Sequence, residues 1–370
     1  MATVVEGLSS TPLFTENKLK LGLFGANLRR GLTITTAENS YDTRWDLTEK
    51  LVRQADGMGL ELIIPVGRWK GFGGPSDFHG SSYETFTWAA GLASITQRSM
   101  VVATCHVPVF HPLVAAKMST TVDHISNGRF GLNIVAGWNR PELEMFGAEF
   151  GAHETRYAKA QEWTEAVRRL WTADEEFDLD GDFYTLKGAW SRPKPIQQPH
   201  PAILFAGGSP TGRRFAAQYA DIAFVVWDDL ETAKGYIDEL RRIAREEFNR
   251  EILVFAYSLV VCRPTEKEAR QYYDYCVFEK GDWEGGQTYA DIVGMNTKLW
   301  DNPEKMKEKI IAGLAGYQMI GTPDMMVEQL GELTDAGYDG TVLVWVDYEA
   351  GLDQWEADVM PLLTQAGLRS

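Results

Sequence analysis

The run RFGLNIVAGWNRPELEMFG, residues 129–147, places Asn133 inside an apolar, strand-like stretch and follows it with Gly137, Trp138, Arg140 and Glu142. A buried amide without a partner costs roughly 1–3 kcal/mol. Asn133 is therefore either satisfied by its own fold or reserved for a bound molecule. A second stretch, FAGGSPTGRR, could hold an anion: Gly207 and Gly208 let backbone N–H groups approach closely, and Ser209 can cap the helix that follows. An ordinary glycine turn with a serine cap fits the same residues. His106 and His111 stand apart from any Cys/His cluster, and HExxH, GxSxG and Walker motifs are missing, so neither a metal site nor a serine nucleophile is expected. His106, alone among apolar neighbours, reads as a packed core residue.

Bulk composition narrows the partners. The 370 residues carry a formal charge of −16, which argues against nucleic acid but not against a small anion met by local arginines. Three unclustered cysteines, Cys105, Cys262 and Cys276, suit a reducing cytoplasm, and no apolar run is long enough for a membrane span. With 12 Trp, 14 Tyr and 17 Phe, the aromatic supply is enough to wall a sizeable pocket.

Eight short apolar runs must position these residues: 20–24, 61–66, 100–105, 130–135, 202–207, 222–227, 253–262 and 341–346. Most are continuously apolar, as expected of parallel strands covered by helices. Segments of helical period separate most of them, among them WDLTEKLVRQADGMG and HPLVAAKMSTTVDHISNG. Eight such units predict a (β/α)8 TIM barrel, an α/β fold with insertions at 174–201 and 278–306, forming one domain over 18–370 behind a tail of 1–17. A doubly wound open sheet is the competitor, but GLFGAN and GFGGPS do not match its phosphate fingerprint. In a barrel, the strand C-terminal ends hold the ligand. That places Arg29 and Arg30, Gly67 and Arg68, Thr104, Asn133 with Trp138 and Glu142, Gly207–Ser209 and Trp227 around one mouth.

VVATCHVPVFHPLVAAKMSTTVDHISNGRFGLNIVAGW, then Arg156-Tyr157, GDFYTLKG, PKPIQQPHPAILFAGGS and MIGTP, together resemble the bacterial luciferase-like flavin monooxygenases. The resemblance spans about residues 18 to 365. It falls in the branch that holds the alkanesulfonate, dimethyl sulfone and pyrimidine monooxygenases, with the pyrimidine enzyme echoed in KGFGG, Thr104 and GLNIVAGW. It implies a homodimer or homotetramer that takes reduced FMN from a separate flavin reductase and uses dioxygen to oxidise a small molecule. Carried over position by position, the flavin contacts are Gly67, Arg68, Asn133, Glu142, Arg156, Tyr157 and Ser209, the last at the phosphate. Thr104 and Asn133 would shape the dioxygen pocket and donate hydrogen bonds there, while Trp138 and Trp227 exclude water. The loop ANLRRGLTITTAENS departs from the relatives and brings Arg29 and Arg30 toward the substrate. Cleavage of a carbon–nitrogen bond in an amide or N-heterocycle is the leading expectation. Carbon–sulfur cleavage of a sulfone or sulfonate, a flavin-binding protein without turnover and a coenzyme F420-dependent dehydrogenase are the alternatives.

Overall fold

Continuous runs of Val, Ile and Leu favour extended backbone buried on both faces, and in the computed structural model the eight runs pair side by side as a closed ring. The structure describes residues 11–226, 229–294 and 303–369. In chain order the strands are β1 (Lys20–Phe24), β2 (Leu62–Ile64), β3 (Met100–His106), β4 (Phe130–Val135), β5 (Phe177–Asp180), β6 (Thr185–Ala189), β7 (Ala202–Phe205), β8 (Ile222–Phe224), β9 (Leu253–Cys262), β10 (Tyr317–Gly321) and β11 (Gly340–Val344). The ring runs β1-β2-β3-β4-β7-β8-β9-β11 and returns to β1, with every pairing parallel. This is the expected eight-stranded barrel wrapped in helices.

Several boundaries shift for local reasons. β2 stops at Ile64 because Pro65 has no N–H for the ladder. β3 runs one residue past expectation, to His106. The insertion at 174–201 holds a small antiparallel hairpin, β5–β6, that its turn-rich composition concealed. In the 278–306 insertion a helix spans Trp283–Val293, and residues 295–302 lie outside the described residues. β9 is long enough to join the ring through its first half and to pair β10 along Ser258–Cys262. Among the described residues no helix is long and apolar enough to cross a membrane.

Inward side chains fill the barrel as a packed core: Leu62, Ile64, Met100, Val102, Leu204, Ile222, Phe255 and Val342 form one cluster, and Leu13 packs into it. Packing therefore begins before residue 18. Glu61 holds this end together. Its Oε2 accepts from the Leu21 N–H at 2.8 Å and from Arg369 Nη1 at 2.8 Å, and its Oε1 accepts from Asn17 Nδ2 at 2.6 Å. Arg369 also donates to the Leu19 and Gly59 carbonyls. Both side chains are almost fully buried, so neither charge can fall back on water. Arg369→Met should leave the Glu61 carboxylate buried without its cation and lower stability by about 3–5 kcal/mol. Urea unfolding checks this, and an unchanged midpoint would show that the clamp is dispensable.

Candidate active site

Thr104 on β3 and Asn133 on β4 are register partners, and both meet at the barrel mouth. The Thr104 hydroxyl donates to the Pro65 carbonyl at 2.8 Å, so its oxygen is left to accept. It accepts from Asn133 Nδ2 at 3.2 Å. That arrangement turns the Asn133 carboxamide so that Oδ1 is enclosed with no hydrogen-bond partner. The expectation that both residues donate is corrected for Thr104, whose proton is already committed to Pro65; Asn133 keeps an unpartnered Oδ1 as an acceptor.

At the end of β2, Arg68 and Glu142 form an ion pair at 3.0 Å whose side chains are only 4% and 2% exposed. Glu142 Oε1 also accepts from the backbone N–H groups of Trp69, at 2.7 Å, and Lys70, at 3.1 Å. Three protein donors thus hold one oxygen of the carboxylate carried over as a flavin contact, and Glu142 fixes the loop after β2 through it. The Arg68 guanidinium lies 4.9 Å from the Phe72 ring and 5.1 Å from the Trp138 ring, and Tyr289 packs edge-on against both. Trp138 therefore stands in an aromatic wall. Arg68 Nε donates to His79 Nδ1 at 3.3 Å, and His79 Nε2 donates to the Gly31 carbonyl at 2.7 Å. Burial, and then the Arg68 charge, push the His79 pKa well below its usual value, consistent with this neutral tautomer.

Gly67 is a glycine for lack of space: a Cβ there would sit 2.7 Å from His106 Cε1 and 2.9 Å from Thr104 Cγ2. His106 is 4% exposed, its Nδ1 has no partner, and burial lowers its pKa to about 4.

The candidate anion-binding element is assembled from two helices. Ser209 caps helix Pro210–Tyr219, its Oγ accepting from the Gly212 N–H at 3.0 Å. Tyr157, on helix His153–Thr172, brings its hydroxyl to the same turn, where a Cβ at Gly212 would meet it at 2.7 Å, and burial raises its pKa. A Cβ at Gly207 would meet that hydroxyl at 3.0 Å, whereas Gly208 borders open space. Arg156 donates to the Gly151 carbonyl at 2.7 Å and lies 4.4 Å from the Phe150 ring, with its Nε enclosed and unpartnered. A phosphate group fits this cradle of helix N-terminus, glycine backbone and tyrosine hydroxyl. Together with the unpartnered Asn133 Oδ1, which suits the N–H of a flat polar ring, the residues present fit FMN.

Arg29 and Arg30 both have partners in the surrounding loops. Arg29 bridges Asp77 at 3.1 Å and Asp42 at 3.7 Å, and Arg30 is held by the Ser76 carbonyl and the Ser40 hydroxyl. Both guanidiniums tie loops together, their carboxylate, hydroxyl and carbonyl partners coming from the loops alongside. Trp227 lies outside the described residues. The sequence offered no sign of His79 or of Asp282. Asp282 accepts from the Ser76 N–H at 2.8 Å and hydroxyl at 2.5 Å and caps the helix after it through the Gly285 N–H at 2.8 Å. Its partner is 206 residues away, and no spacing rule reaches that far. Among the described residues no group of three or more His, Cys, Asp and Glu could hold a metal ion.

With a folded pKa near 4 against about 6.5 unfolded, His106 takes up its proton more readily in the unfolded chain. Stability should therefore fall as pH drops from about 6.5 toward 4. His79 and His200 are displaced in the same direction. His106→Asn should remove one proton's share of that slope, at most about 1.4 kcal/mol per pH unit. Urea midpoints at pH 7 and pH 5 measure it, and equal slopes in both proteins would contradict the assignment.

The family model of the luciferase-like monooxygenases matches residues 28–340. Pyrimidine monooxygenase RutA of Acinetobacter baylyi is 28% identical over 358 residues, covering 94% of this chain and 95% of that protein. Among solved structures, riboflavin lyase RcaE, determined with a modified FMN and riboflavin, superposes with a TM-score of 0.82 at 20% identity, over 95% of this chain and 93% of that one. The long-chain alkane monooxygenase LadA gives a TM-score of 0.84 at 18% identity, over 96% and 93%. At such identities the structural likeness speaks for the fold, while the family match spans most of the chain. The chain belongs to the luciferase-like monooxygenase family and is, by that membership, a flavin-dependent monooxygenase.

Proposed function

We propose that this enzyme uses reduced FMN and dioxygen to cleave a carbon–nitrogen bond in a small amide or N-heterocycle of the pyrimidine type. The observation that carries the reading is the Asn133 Oδ1 atom, buried without a partner beside Thr104 at the barrel mouth. The full-length similarity to pyrimidine monooxygenases supports the substrate class. Delivery of the reduced flavin by a separate reductase, and a homodimeric or homotetrameric assembly, belong to the same proposal and rest on the family resemblance.

Reduced FMN, when bound, supplies the electrons that activate dioxygen, one oxygen atom going to the substrate and the other to water. The chain's own work is binding, orientation and exclusion of water. Ser209, Tyr157 and the Gly207–Gly208 backbone would take the phosphate. Asn133 Oδ1 would accept an N–H of the ring system, held in that role by Thr104. Arg68, Phe72, Trp138 and Tyr289 close one side with a packed wall, which strengthens every polar contact inside by keeping water out.

FMN reduced in the presence of the protein under air, with uracil-like heterocycles, amides, sulfones and sulfonates, should yield an oxygenated, ring- or amide-cleaved product by mass. Asn133→Ala should still oxidise the reduced FMN but divert it to hydrogen peroxide, lowering product per flavin at least tenfold. Sulfite or sulfinate release by the wild-type enzyme, or unchanged coupling in the variant, would overturn the assignment.

A further inference from the structure

His106 closes β3 at the barrel mouth, two residues beyond Thr104 on the same strand. The ring is 4% exposed, and its Nδ1 is enclosed with no hydrogen-bond partner. An apolar side chain of similar size would fill this position without burying an unsatisfied nitrogen. The Nδ1–Cε1 edge packs against Gly67, where a Cβ would come within 2.7 Å of Cε1 and 3.3 Å of Nδ1, so the residue alongside the imidazole is one without a side chain. The same glycine contacts Thr104, whose hydroxyl orients Asn133. Two buried polar atoms without partners, His106 Nδ1 and Asn133 Oδ1, therefore sit on neighbouring strands at one end of the barrel.

We propose that His106 is a hydrogen-bonding contact for the bound planar ring, meeting an N–H or C=O group on that ring's amide edge. The inference rests on the flavin-and-heterocycle reading above. The charges facing the imidazole are Glu142 and Arg68, already paired to each other, and burial keeps the ring neutral with its pKa near 4. A neutral imidazole offers one donor and one acceptor, which matches the alternating C=O and N–H groups of an amide edge better than a cation does. Isoalloxazine and uracil share that chemistry, so the ligand has two possible sources within one site.

Binding of FMN and of uracil separates them. The dissociation constant of oxidised FMN is measured for wild type, His106→Leu and His106→Asn, followed by that of uracil on each FMN-loaded protein. His106→Leu should weaken one ligand about tenfold and leave the other within twofold, and His106→Asn should recover most of the loss because its carboxamide can replace the hydrogen bond. Loss confined to uracil assigns the contact to the substrate, and loss confined to FMN assigns it to the cofactor. In ¹⁵N-histidine-labelled wild type, the His106 ring signals should move on addition of the same ligand, a readout that needs no variant to fold. Unchanged affinities in both variants, with an unmoved His106 signal, would overturn the proposal while leaving the function reading intact. Failure of the wild type to bind FMN at all would defeat both.

Discussion

The Pro65 carbonyl is the point on which the site depends. Pro65 has no N–H and ends β2, and its carbonyl takes the proton of Thr104 from the neighbouring strand at 2.8 Å. Everything after that is a matter of donors and acceptors. A hydroxyl whose proton is spent can only accept, so Asn133 must offer its NH2 group and turn its oxygen away. One hydrogen bond between two strands thus decides the chemical character of a side chain on a third. The closed barrel makes this dependable, because the register of β2, β3 and β4 leaves the three residues no other alignment.

Around that point the fold spends buried charge on geometry. The Arg68–Glu142 pair is almost fully desolvated, an arrangement that rarely adds stability over an apolar pair but is costly to break on one side. Here it is tied to two backbone N–H groups, to His79 and to two aromatic rings, so the loop after β2 and the turn after β4 move together or not at all. Asp282 extends the same logic, joining the β2 loop to the helix at Trp283–Val293 through Ser76. The mouth is built from loops that are hydrogen-bonded to one another, which suits a reaction that must keep water away from a reactive oxidant.

The barrel was legible in the sequence because parallel strands covered on both faces read as unbroken apolar runs, and all eight runs found their places in the ring. The β5–β6 hairpin was not legible, since four- and five-residue strands set among turn residues leave little periodicity. Asn133 stood out as an anomaly by residue type alone, and so did the Gly207–Ser209 turn. The direction of the Asn133 carboxamide was hidden, because Pro65 lies 39 residues before the threonine it binds. The partners of Arg29 were hidden for a related reason: a basic doublet after a first strand shows nothing of Asp42 and Asp77, which arrive from elsewhere in the loops. His106 read correctly as buried, but the open Nδ1 that gives it interest exists only once its neighbours are in place.

The orientation of Asn133 is the central claim, and substitution at Thr104 tests it most directly. Thr104→Ser keeps a hydroxyl between Pro65 and the carboxamide, whereas Thr104→Val removes it at nearly the same volume. Product formed per reduced FMN consumed should stay near wild type in the serine variant and fall by about tenfold in the valine variant, the scale of one misdirected hydrogen bond. Equal coupling in the valine variant and the wild type would contradict the account, because Asn133 would then be oriented by something other than the Thr104 hydroxyl.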